Sequence, residues 1–254
     1  MCRHLGYLGP ARAVADVLTE GSTSLLNQSF APRDMRGGGT INADGFGACW
    51  WDGSAIGRYR SAQPLWSDPA VRETLSSIRS TAVVAAARSA TVGMPVERSA
   101  CAPFVGAEAG EMGAWAFSHN GVVPGWPHSI APLAATLSVT ELLGLEASTD
   151  SATLWLLLAR ALRDDPPETA LPALSHAVAE AAPGARLNFL LCNGTDLWAT
   201  TWYHSLSVLV DDDRAVVASE PLDDDPRWES VADRHLVVAR PGRLIVTPLE
   251  IGVP

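Results

Sequence analysis

The residue type best suited to chemistry stands at the start of the sequence, where Cys2 follows Met1. Methionine aminopeptidase removes an initiator Met readily when the second residue is small, and Cys qualifies. The chain would then begin with a thiol and an α-amine on one residue. A free thiol has a pKa of about 8.5 and an α-amine one of about 7.7–8.0, so the amine is a competent base near neutral pH. Cys2 is therefore a candidate nucleophile; the alternative is an incidental small residue.

Two strand-like segments end in groups that could bind an anion. Ser118-His119-Asn120-Gly121 offers the amide of Asn120 and the N–H of Gly121, which together suit an oxyanion hole. The alternative for that segment is a tight Asn-Gly turn. Arg88 ends an apolar run, where its guanidinium suits bidentate capture of a carboxylate. The alternative for Arg88 is a structural ion pair.

A third candidate lies at the predicted start of the longest helix. Thr149 is a plausible N-cap, and Asp150 follows it in the first turn. Asp150 could receive a substrate ammonium. Its alternative role is compensation of the helix dipole, which is the commoner reason for an Asp at such a position.

These residues need a scaffold, and hydrophobic periodicity predicts one rich in strands. The segment 31–45 reads as a loop, and Asn193-Gly194 and Asp211–Asp213 read as hairpin turns. Because strands flank a central helical pair, we expect an α+β fold in which sheet packs on sheet with helices outside. Strands are predicted at 2–8, 46–51, 55–60, 81–87, 113–118, 187–192, 197–203, 206–210, 214–219, 235–240 and 243–248, and helices at 11–18, 69–79, 149–163 and 168–182.

Composition excludes several classes of protein. The formal net charge of −10, without a Lys/Arg patch, argues against nucleic acid or an anionic membrane as partner. We find neither a signal-peptide pattern nor the ~20 uncharged residues of a membrane span, so we expect a cytoplasmic protein. The acidic segments 211–213 and 223–225 are expected to be solvated tips rather than calcium sites. We expect residues 1–254 to form one domain, with no metal and no organic cofactor.

The cysteines do not form a metal-binding or disulfide pattern. They are far apart, and none belongs to a CxxC pair. In an intracellular protein such cysteines are expected to be free thiols rather than zinc ligands or cystines. The four are Cys2, Cys49, Cys101 and Cys192.

Taken in order, these segments resemble a known family. The chain is similar to class II glutamine amidotransferase domains of the N-terminal-nucleophile type, in particular to a stand-alone branch that begins Met-Cys-Arg-x-Leu-Gly-Tyr-Leu-Gly, here Met1–Gly9. Each segment alone is weak, but together they span nearly the whole chain in the family's order. The further matching segments are 28–33, 42–47, 88–93, 118–121, 149–151 and 218–222.

The resemblance implies a fold and a set of roles. The fold would be a four-layer αββα sandwich, with two largely antiparallel sheets between helical layers. Cys2 would be the nucleophile, and Asn120 and Gly121 would form the oxyanion hole. The glutamyl group of the substrate would be bound through its α-carboxylate by Arg88, with Thr91 beside it, and through its α-ammonium by Asp150.

The sequence departs from the synthase-linked members of this family at three positions. Many of those carry Trp after the Arg, His after the Thr and His before a downstream Pro, where this chain has Ser89, Val92 and Ala102. The wall around the departing group must therefore differ. We also expect a chain of 254 residues to be too short to include a synthase domain. The altered wall argues against delivery of ammonia to a synthase, while a stand-alone domain either feeds a partner subunit or hydrolyses a γ-glutamyl conjugate.

The start Met1–Pro10 and the segment 87–95 look most like the γ-glutamyl hydrolases of ergothioneine biosynthesis, whose leaving amine carries a trimethylammonium. Such cations favour aromatic faces. Several Trp lie in or near the matching segments and could form a cage, although core packing is the simpler role for each. They are Trp50, Trp51, Trp66, Trp115 and Trp126.

Other functions stay open. One is a glutaminase subunit that supplies ammonia to a separate synthase, and another is hydrolysis of a different γ-glutamyl amine. A catalytically silent scaffold is disfavoured by the intact set of candidate residues. An autoprocessed aminohydrolase with an internal propeptide is disfavoured because Cys2 needs only the loss of Met1. The expected partner is a small-molecule γ-glutamyl substrate, and the sequence allows a homo-oligomer without requiring one.

Overall fold

The computed structural model describes residues 2–36, 38, 41–53, 55–106 and 115–249. Within these ranges a seven-stranded sheet has the order β11-β9-β10-β1-β4-β2-β3. All of its neighbouring strands run antiparallel. We call it sheet A. Its strands are β1 (Arg3–Ala13), β2 (Phe46–Asp52), β3 (Ala55–Ser61), β4 (Arg79–Ala87), β9 (Ser207–Val210), β10 (Ala215–Ala218) and β11 (Glu229–Ser230).

A second sheet, sheet B, has six strands in the order β13-β12-β8-β7-β6-β5, again antiparallel throughout. Its strands are β5 (Phe104–Gly106), β6 (Trp115–Val122), β7 (Arg186–Cys192), β8 (Leu197–Thr200), β12 (His235–Arg240) and β13 (Arg243–Pro248). The helices are α1 (Val14–Thr19), α2 (Leu25–Phe30), α3 (Ala70–Glu73), α4 (Ala131–Ala134), α5 (Val139–Leu143), α6 (Asp150–Ala161) and α7 (Pro167–Ala181), with a 3₁₀ turn at Arg98–Ala100.

Three buried clusters show how the layers stack. The middle cluster joins the inner faces of the two sheets, for example Val84 of sheet A and Leu190 of sheet B. A second cluster packs α1 and α2 onto the outer face of sheet A, and a third packs α6 and α7 onto the outer face of sheet B. Burial of these apolar faces is the main stabilising contribution to the fold. The predicted αββα sandwich is confirmed.

Several element predictions are confirmed as well. The hairpin at 46–51 and 55–60 forms, with Phe46 paired to Ser61. The buried strand at 81–87 and the two long helices also form. Asn193-Gly194 and Asp211–Asp213 join adjacent antiparallel strands, as turns should. The described part of the 31–45 loop contains no helix or strand.

Other element predictions are wrong in their bounds. β1 continues through residue 13 because it pairs with the start of β4, so the helix expected from residue 11 begins only at Val14. The helix expected at 69–79 is reduced to a single turn, since Arg79 already belongs to β4. α2 was not predicted, although Ser24 caps it through its side chain, which accepts from the N–H of Asn27.

No helix within the described ranges is both long enough and apolar enough to cross a bilayer.

Candidate active site

Cys2 lies immediately before β1, at one end of the sandwich. The last residues of β1 and β4 to pair at this end are Arg3 and Ala87, and continuing that register brings Cys2 opposite Arg88. Side chains alternate along a strand, and the even-numbered Leu8 and Val84 belong to the cluster between the sheets. Cys2 and Arg88 therefore both point towards sheet B. The sulfur of Cys2 is 3.7 Å from the carbonyl oxygen of Ser89, and the residue is only partly buried.

Arg3, the residue after Cys2, is anchored by a buried ion pair. Nη2 of Arg3 lies 3.0 Å from Oε1 of Glu220, and both side chains are almost fully buried. Glu220 also accepts hydrogen bonds from the backbone N–H groups of Arg33 and Asp34, at 2.8 and 3.0 Å. A buried charge is costly unless it is paired and hydrogen-bonded in this way. The pair thus fixes the N-terminal strand against the loop that follows α2.

The other three cysteines are buried free thiols, as predicted for a reduced protein. Burial raises the pKa of Cys101 to about 11 and that of Cys192 to about 12. It also raises the pKa of Cys49 well above its ordinary value. Because the thiolate is the reactive form, these three are inert at neutral pH. Cys2 is the one cysteine that combines access with a position at the open end of the sandwich.

Arg88 is buried, and no carboxylate among the described residues pairs with it. Its Nη1 has no hydrogen-bond partner there either. The backbone around it is well fixed: its N–H donates to the carbonyl of Gly45, and Oδ2 of Asp44 accepts from Ala90 at 2.7 Å. The alternative role of Arg88, a structural ion pair, is therefore not found among the described residues. An unpaired buried guanidinium is suited to an incoming carboxylate.

Asn120 and Gly121 lie inside β6 rather than in a turn after it, so the expected strand end at 118 and the turn alternative are both wrong. The cause is pairing with β7, which continues to Val122 opposite Arg186. Gly121 is required by this close approach, because a Cβ there would collide with the carbonyl oxygen of Arg186 and with the ring of His119.

The side chain of Asn120 is completely buried, and neither its oxygen nor its nitrogen has a partner among the described residues. Ala116, four positions earlier on β6, belongs to the cluster between the sheets. By alternation Asn120 faces the same space as Cys2. A buried amide left unpaired is costly, on the order of 1–3 kcal/mol. Its persistence here fits a donor reserved for substrate.

Asp150 does not cap its helix; Thr149 does so, accepting from the N–H of Ala152 at 3.2 Å. The buried carboxylate of Asp150 instead accepts from the N–H of Val123 at 3.0 Å and from the N–H of Ser151 at 2.7 Å. It therefore ties the start of α6 to the end of β6. A carboxylate can accept about four hydrogen bonds, which leaves capacity for an ammonium.

His119 and Ser151 lie within the matching segments 118–121 and 149–151, and both line the pocket of Cys2. Nδ1 of His119 is 3.0 Å from the hydroxyl of Ser151, and Nε2 is 2.8 Å from the carbonyl of Arg186. The carbonyl can only accept, so the proton lies on Nε2. Burial lowers the pKa of His119, which keeps the ring neutral.

A narrow pocket opens on Cys2 and is lined on one side by Arg88 and on the other by His119 and Ser151; Ala102 also contributes. The pocket thus brings together both sheets and α6 around Cys2, while Asn120, Gly121 and Asp150 are not among its lining residues. Thr91 is not among the lining residues, since its side chain is exposed to solvent. Val92 is also fully exposed, and Ser89 approaches Cys2 only through its carbonyl, so of the three departures from the synthase-linked pattern Ala102 is the one that lines this pocket.

The candidate cage residues do not line this pocket. Trp51 belongs to the cluster between the sheets, and Trp115 packs against Trp198 with ring centroids 5.5 Å apart. Trp126 donates its indole N–H to Thr153. Trp66 is partly exposed and contacts Phe30 edge-on. The structure favours the packing interpretation for most of these rings.

The architecture and the site together define an N-terminal-nucleophile type of amidotransferase fold. Residues 16–211 match the model of the family "Glutamine amidotransferases class-II", and the chain belongs to that family. Among solved structures it is similar to a glutamine aminotransferase class-II domain protein from Silicibacter pomeroyi (TM-score 0.67, 22% identity, 98% of this chain and 100% of that one). It also resembles the PRPP amidotransferase of B. subtilis (TM-score 0.68, 15% identity, 98% of this chain and 50% of that one).

More similar relatives are found by sequence. The γ-glutamyl-hercynylcysteine sulfoxide hydrolase of Mycolicibacterium smegmatis is 43% identical over 98% of this chain and 100% of its own length. The protein of the same name from Mycobacterium tuberculosis is 40% identical over 98% of this chain and 97% of its own length. Both relatives are hydrolases, in agreement with the enzyme class predicted from the sequence.

Proposed function

We propose that the protein hydrolyses the γ-glutamyl amide of γ-glutamyl-hercynylcysteine sulfoxide, releasing glutamate and hercynylcysteine sulfoxide. The observation that carries the proposal is the pocket of Cys2, which the buried Arg88 lines without a partner for its Nη1. The unpaired buried amide of Asn120 is not among the lining residues, but strand alternation turns it towards the same inner face. The full-length similarity to two hydrolases of that name supports this choice of substrate.

The glutamyl part of the substrate is held by complementary charges. Its α-carboxylate pairs with the guanidinium of Arg88, and its α-ammonium pairs with the carboxylate of Asp150, whose other lone pairs are already fixed by Val123 and Ser151. His119, neutral and held by Ser151, adds no competing positive charge. The γ-carbonyl is thereby placed near the sulfur of Cys2.

Acylation follows once Met1 has been removed. The thiol proton of Cys2 passes to its own α-amine, and the thiolate attacks the γ-carbonyl carbon. The resulting oxyanion is stabilised by the amide of Asn120 and the N–H of Gly121. When the intermediate collapses, the C–N bond breaks and the α-ammonium protonates the leaving nitrogen. A γ-glutamyl thioester on Cys2 remains.

In deacylation the α-amine of Cys2 again accepts a proton and then gives it up. Water gives a proton to the free α-amine of Cys2 and adds to the thioester carbonyl. The second tetrahedral intermediate is held by the same two donors, Asn120 and Gly121. Its collapse breaks the C–S bond, and the thiolate regains its proton from the α-ammonium as glutamate leaves. Every proton is accounted for by the substrate, water and Cys2.

We further infer that the chain is one domain, because the cluster between the sheets joins residues from its beginning and end, such as Leu8 and Val237. We place it in the cytoplasm, where its thiols would stay reduced. Loss of Met1 is required by the mechanism. Intact-mass analysis of an active preparation should therefore show a chain beginning at Cys2, and full activity with Met1 retained would refute the role of the α-amine.

The substrate is tested by comparing kcat/KM for γ-glutamyl-hercynylcysteine sulfoxide and for free glutamine in one assay. Contacts with the hercynyl group add binding in the transition state that ammonia cannot supply, so we expect at least about a 10²-fold preference for the conjugate. Equal or faster hydrolysis of glutamine would make the protein an ammonia-supplying subunit. Reaction with only some other γ-glutamyl amine would keep the enzyme class and reject this substrate.

A further inference from the structure

Arg186 stands at the catalytic end of sheet B. It is the first residue of β7 and pairs with Val122, the residue after Gly121. Leu190 and Cys192 of β7 belong to the cluster between the sheets, so by alternation the side chain of Arg186 starts out on that inner face. Its carbonyl is bound to the ring of His119, which lines the pocket of Cys2. Arg186 does not line the pocket of Cys2 itself; it lines a second groove together with Glu180, Tyr203 and Asp233, and its carbonyl bond to His119 joins that groove to the pocket.

Within the described residues, no carboxylate pairs with the guanidinium of Arg186. It lies over the ring of Tyr203, 4.5 Å from the centroid, and neither a carboxylate nor another acceptor among the described residues binds it. The residue is partly exposed. An arginine stacked on an aromatic ring loses little further freedom when it binds an anion, and its outer N–H groups remain available. Arg186 is therefore a cation held in position by Tyr203, and no carboxylate in the described structure neutralises it.

The aromatic support of Arg186 is itself fixed by neighbouring bonds. Tyr203 has φ 94°, a conformation that is rare for residues other than glycine and that costs about 1–3 kcal/mol. Asn188 holds both flanking residues, because its side-chain oxygen accepts from the N–H groups of Trp202 and His204 at 3.0 Å. Asp233 accepts from the N–H of Tyr203 itself at 2.7 Å. The strained position of Tyr203 is thus imposed by the surroundings.

Arg186 and Arg88 lie on opposite sides of the nucleophile. In sheet A, Arg88 follows β4, which neighbours β1 and packs across the sandwich on β6. In sheet B, Arg186 begins β7, on the side of β6 that leads to β8 and away from β5. Since β1 packs on both β6 and β7, Cys2 lies between the two arginines.

The glutamyl group and the leaving amine of the substrate lie on opposite sides of the scissile amide bond. If Arg88 holds the glutamyl head, the substituent on the scissile nitrogen must extend away from Arg88, towards β7. In the substrate named for the relatives the leaving amine is a cysteine derivative, and its α-carboxylate is carried by the carbon bonded to the scissile nitrogen. A carboxylate at that place requires a cation beyond Cys2.

We propose that Arg186, supported by Tyr203, binds the α-carboxylate of the leaving amino acid and so selects γ-glutamyl amino acids over glutamine and over γ-glutamyl amines without that carboxylate. This assignment rests on the proposed γ-glutamyl hydrolase function. It makes Arg186 a specificity-determining residue, distinct from the residues that hold the glutamyl head. It also gives the two carboxylates of the substrate separate arginines on either side of the scissile bond.

A matched control lies beside it. Arg234 also stacks on an aromatic ring, 3.4 Å from the centroid of Trp202, but it is paired with Asp233 at 3.6 Å. Arg234→Gln therefore removes an exposed, ring-stacked arginine whose charge is already neutralised. The test uses the full-length enzyme with two substrates that differ in one group: an S-alkyl-γ-glutamylcysteine and the corresponding γ-glutamyl-S-alkylcysteamine, which lacks the leaving-group carboxylate.

We expect the parent enzyme to prefer the carboxylated substrate, and Arg186→Gln to lower kcat/KM for it by about 10- to 100-fold, the usual worth of a charge-assisted pair. The same variant should hydrolyse the decarboxylated substrate within about threefold of the parent. On the carboxylated substrate, kcat/KM of Arg186→Lys should lie between those of the parent and of Arg186→Gln, because Lys keeps the charge but cannot make a two-point contact. Arg234→Gln should leave both rates unchanged.

Three results would overturn the assignment. Equal losses on both substrates would show that Arg186 only supports β6 and Gly121. No loss on either would remove it from the site. Equal rates of the parent enzyme on the two substrates would show that the carboxylate is not read, while leaving γ-glutamyl hydrolysis itself intact. If the parent enzyme cleaved neither substrate nor any other γ-glutamyl amide, the proposed function would fail and this inference with it.

Discussion

The two sides of Cys2, the proposed nucleophile, are built differently. On the side of Arg88 the groups proposed to hold glutamate are buried, and their backbones are fixed by β-strand pairing and by Asp44 and Asp150. On the side of Arg186 the cation is partly exposed and rests on Tyr203, whose ring is also partly exposed. The first arrangement suits a constant chemical group that must be placed accurately, and the second suits a larger group that extends into solvent. The glutamyl side should therefore govern turnover, and the leaving-group side should govern selectivity.

The largest effect is expected at the nucleophile, which both sides share. Cys2→Ala should lower kcat by roughly 10⁴-fold or more on every γ-glutamyl substrate, because no other group can form the thioester. The melting temperature should stay close to that of the parent, since Cys2 is only partly buried. Cys49→Ala and Cys192→Ala serve as controls: they can cost stability but should keep kcat. If Cys2→Ala kept its turnover, Cys2 would not be the nucleophile.

Next in size is the loss of an oxyanion donor. Asn120→Ala should lower kcat by about 10²–10³-fold, with little change in KM, because the amide is used only when the oxyanion forms. Both substrates of the Arg186 test should suffer alike, since the donor serves the carbonyl that they have in common. Steady-state kinetics would show this. A change confined to KM would instead mark Asn120 as a residue that shapes the pocket.

A smaller loss is expected when the shape of the glutamyl-binding cation changes. Arg88→Lys keeps the charge but cannot make a two-point contact with a carboxylate, so kcat/KM should fall by about 10- to 100-fold. The loss should be the same for carboxylated and decarboxylated leaving groups. A loss seen only with the carboxylated one would exchange the roles assigned to Arg88 and Arg186.

The smallest effect concerns the pH dependence of folding stability, which depends on two histidines. Burial, reinforced by nearby histidines and arginines, lowers the pKa of His4 and of His204 to about 3. The unfolded chain binds these protons from about pH 6.5 downwards and the folded chain does not, so folding stability rises with pH between about 3 and 6.5 and is lost as the pH falls. We expect the melting temperature to fall from pH 7 to pH 5, a range above most carboxyl titration. His204→Gln should flatten that slope; an unchanged slope would show that His204 does not contribute to it.

Parts of the fold could be predicted because they are local. The hairpin of β2 and β3 follows from alternation on either side of Asp52-Gly53, and the start of α6 follows from Thr149 before an apolar periodic run. Predictions failed where pairing with a distant segment extends a strand. β1 runs past residue 11 because β4 pairs with it, and β6 includes Asn120 and Gly121 because β7 does. Local patterns carry no information on such partners.

The sequence by itself determined the family, and it supplied the candidate nucleophile and the candidate γ-glutamyl-binding residues, because those depend on chemistry and on ordered motifs along the chain. It could not determine which residues share a cavity. The buried pair of Arg3 and Glu220 joins opposite ends of the chain, and Thr91, close to Arg88 in sequence, points into solvent. Arg186 carries no local signal at all. Its place beside the pocket of Cys2 comes from the stacking of two sheets, and such non-local packing is decided only by the folded chain.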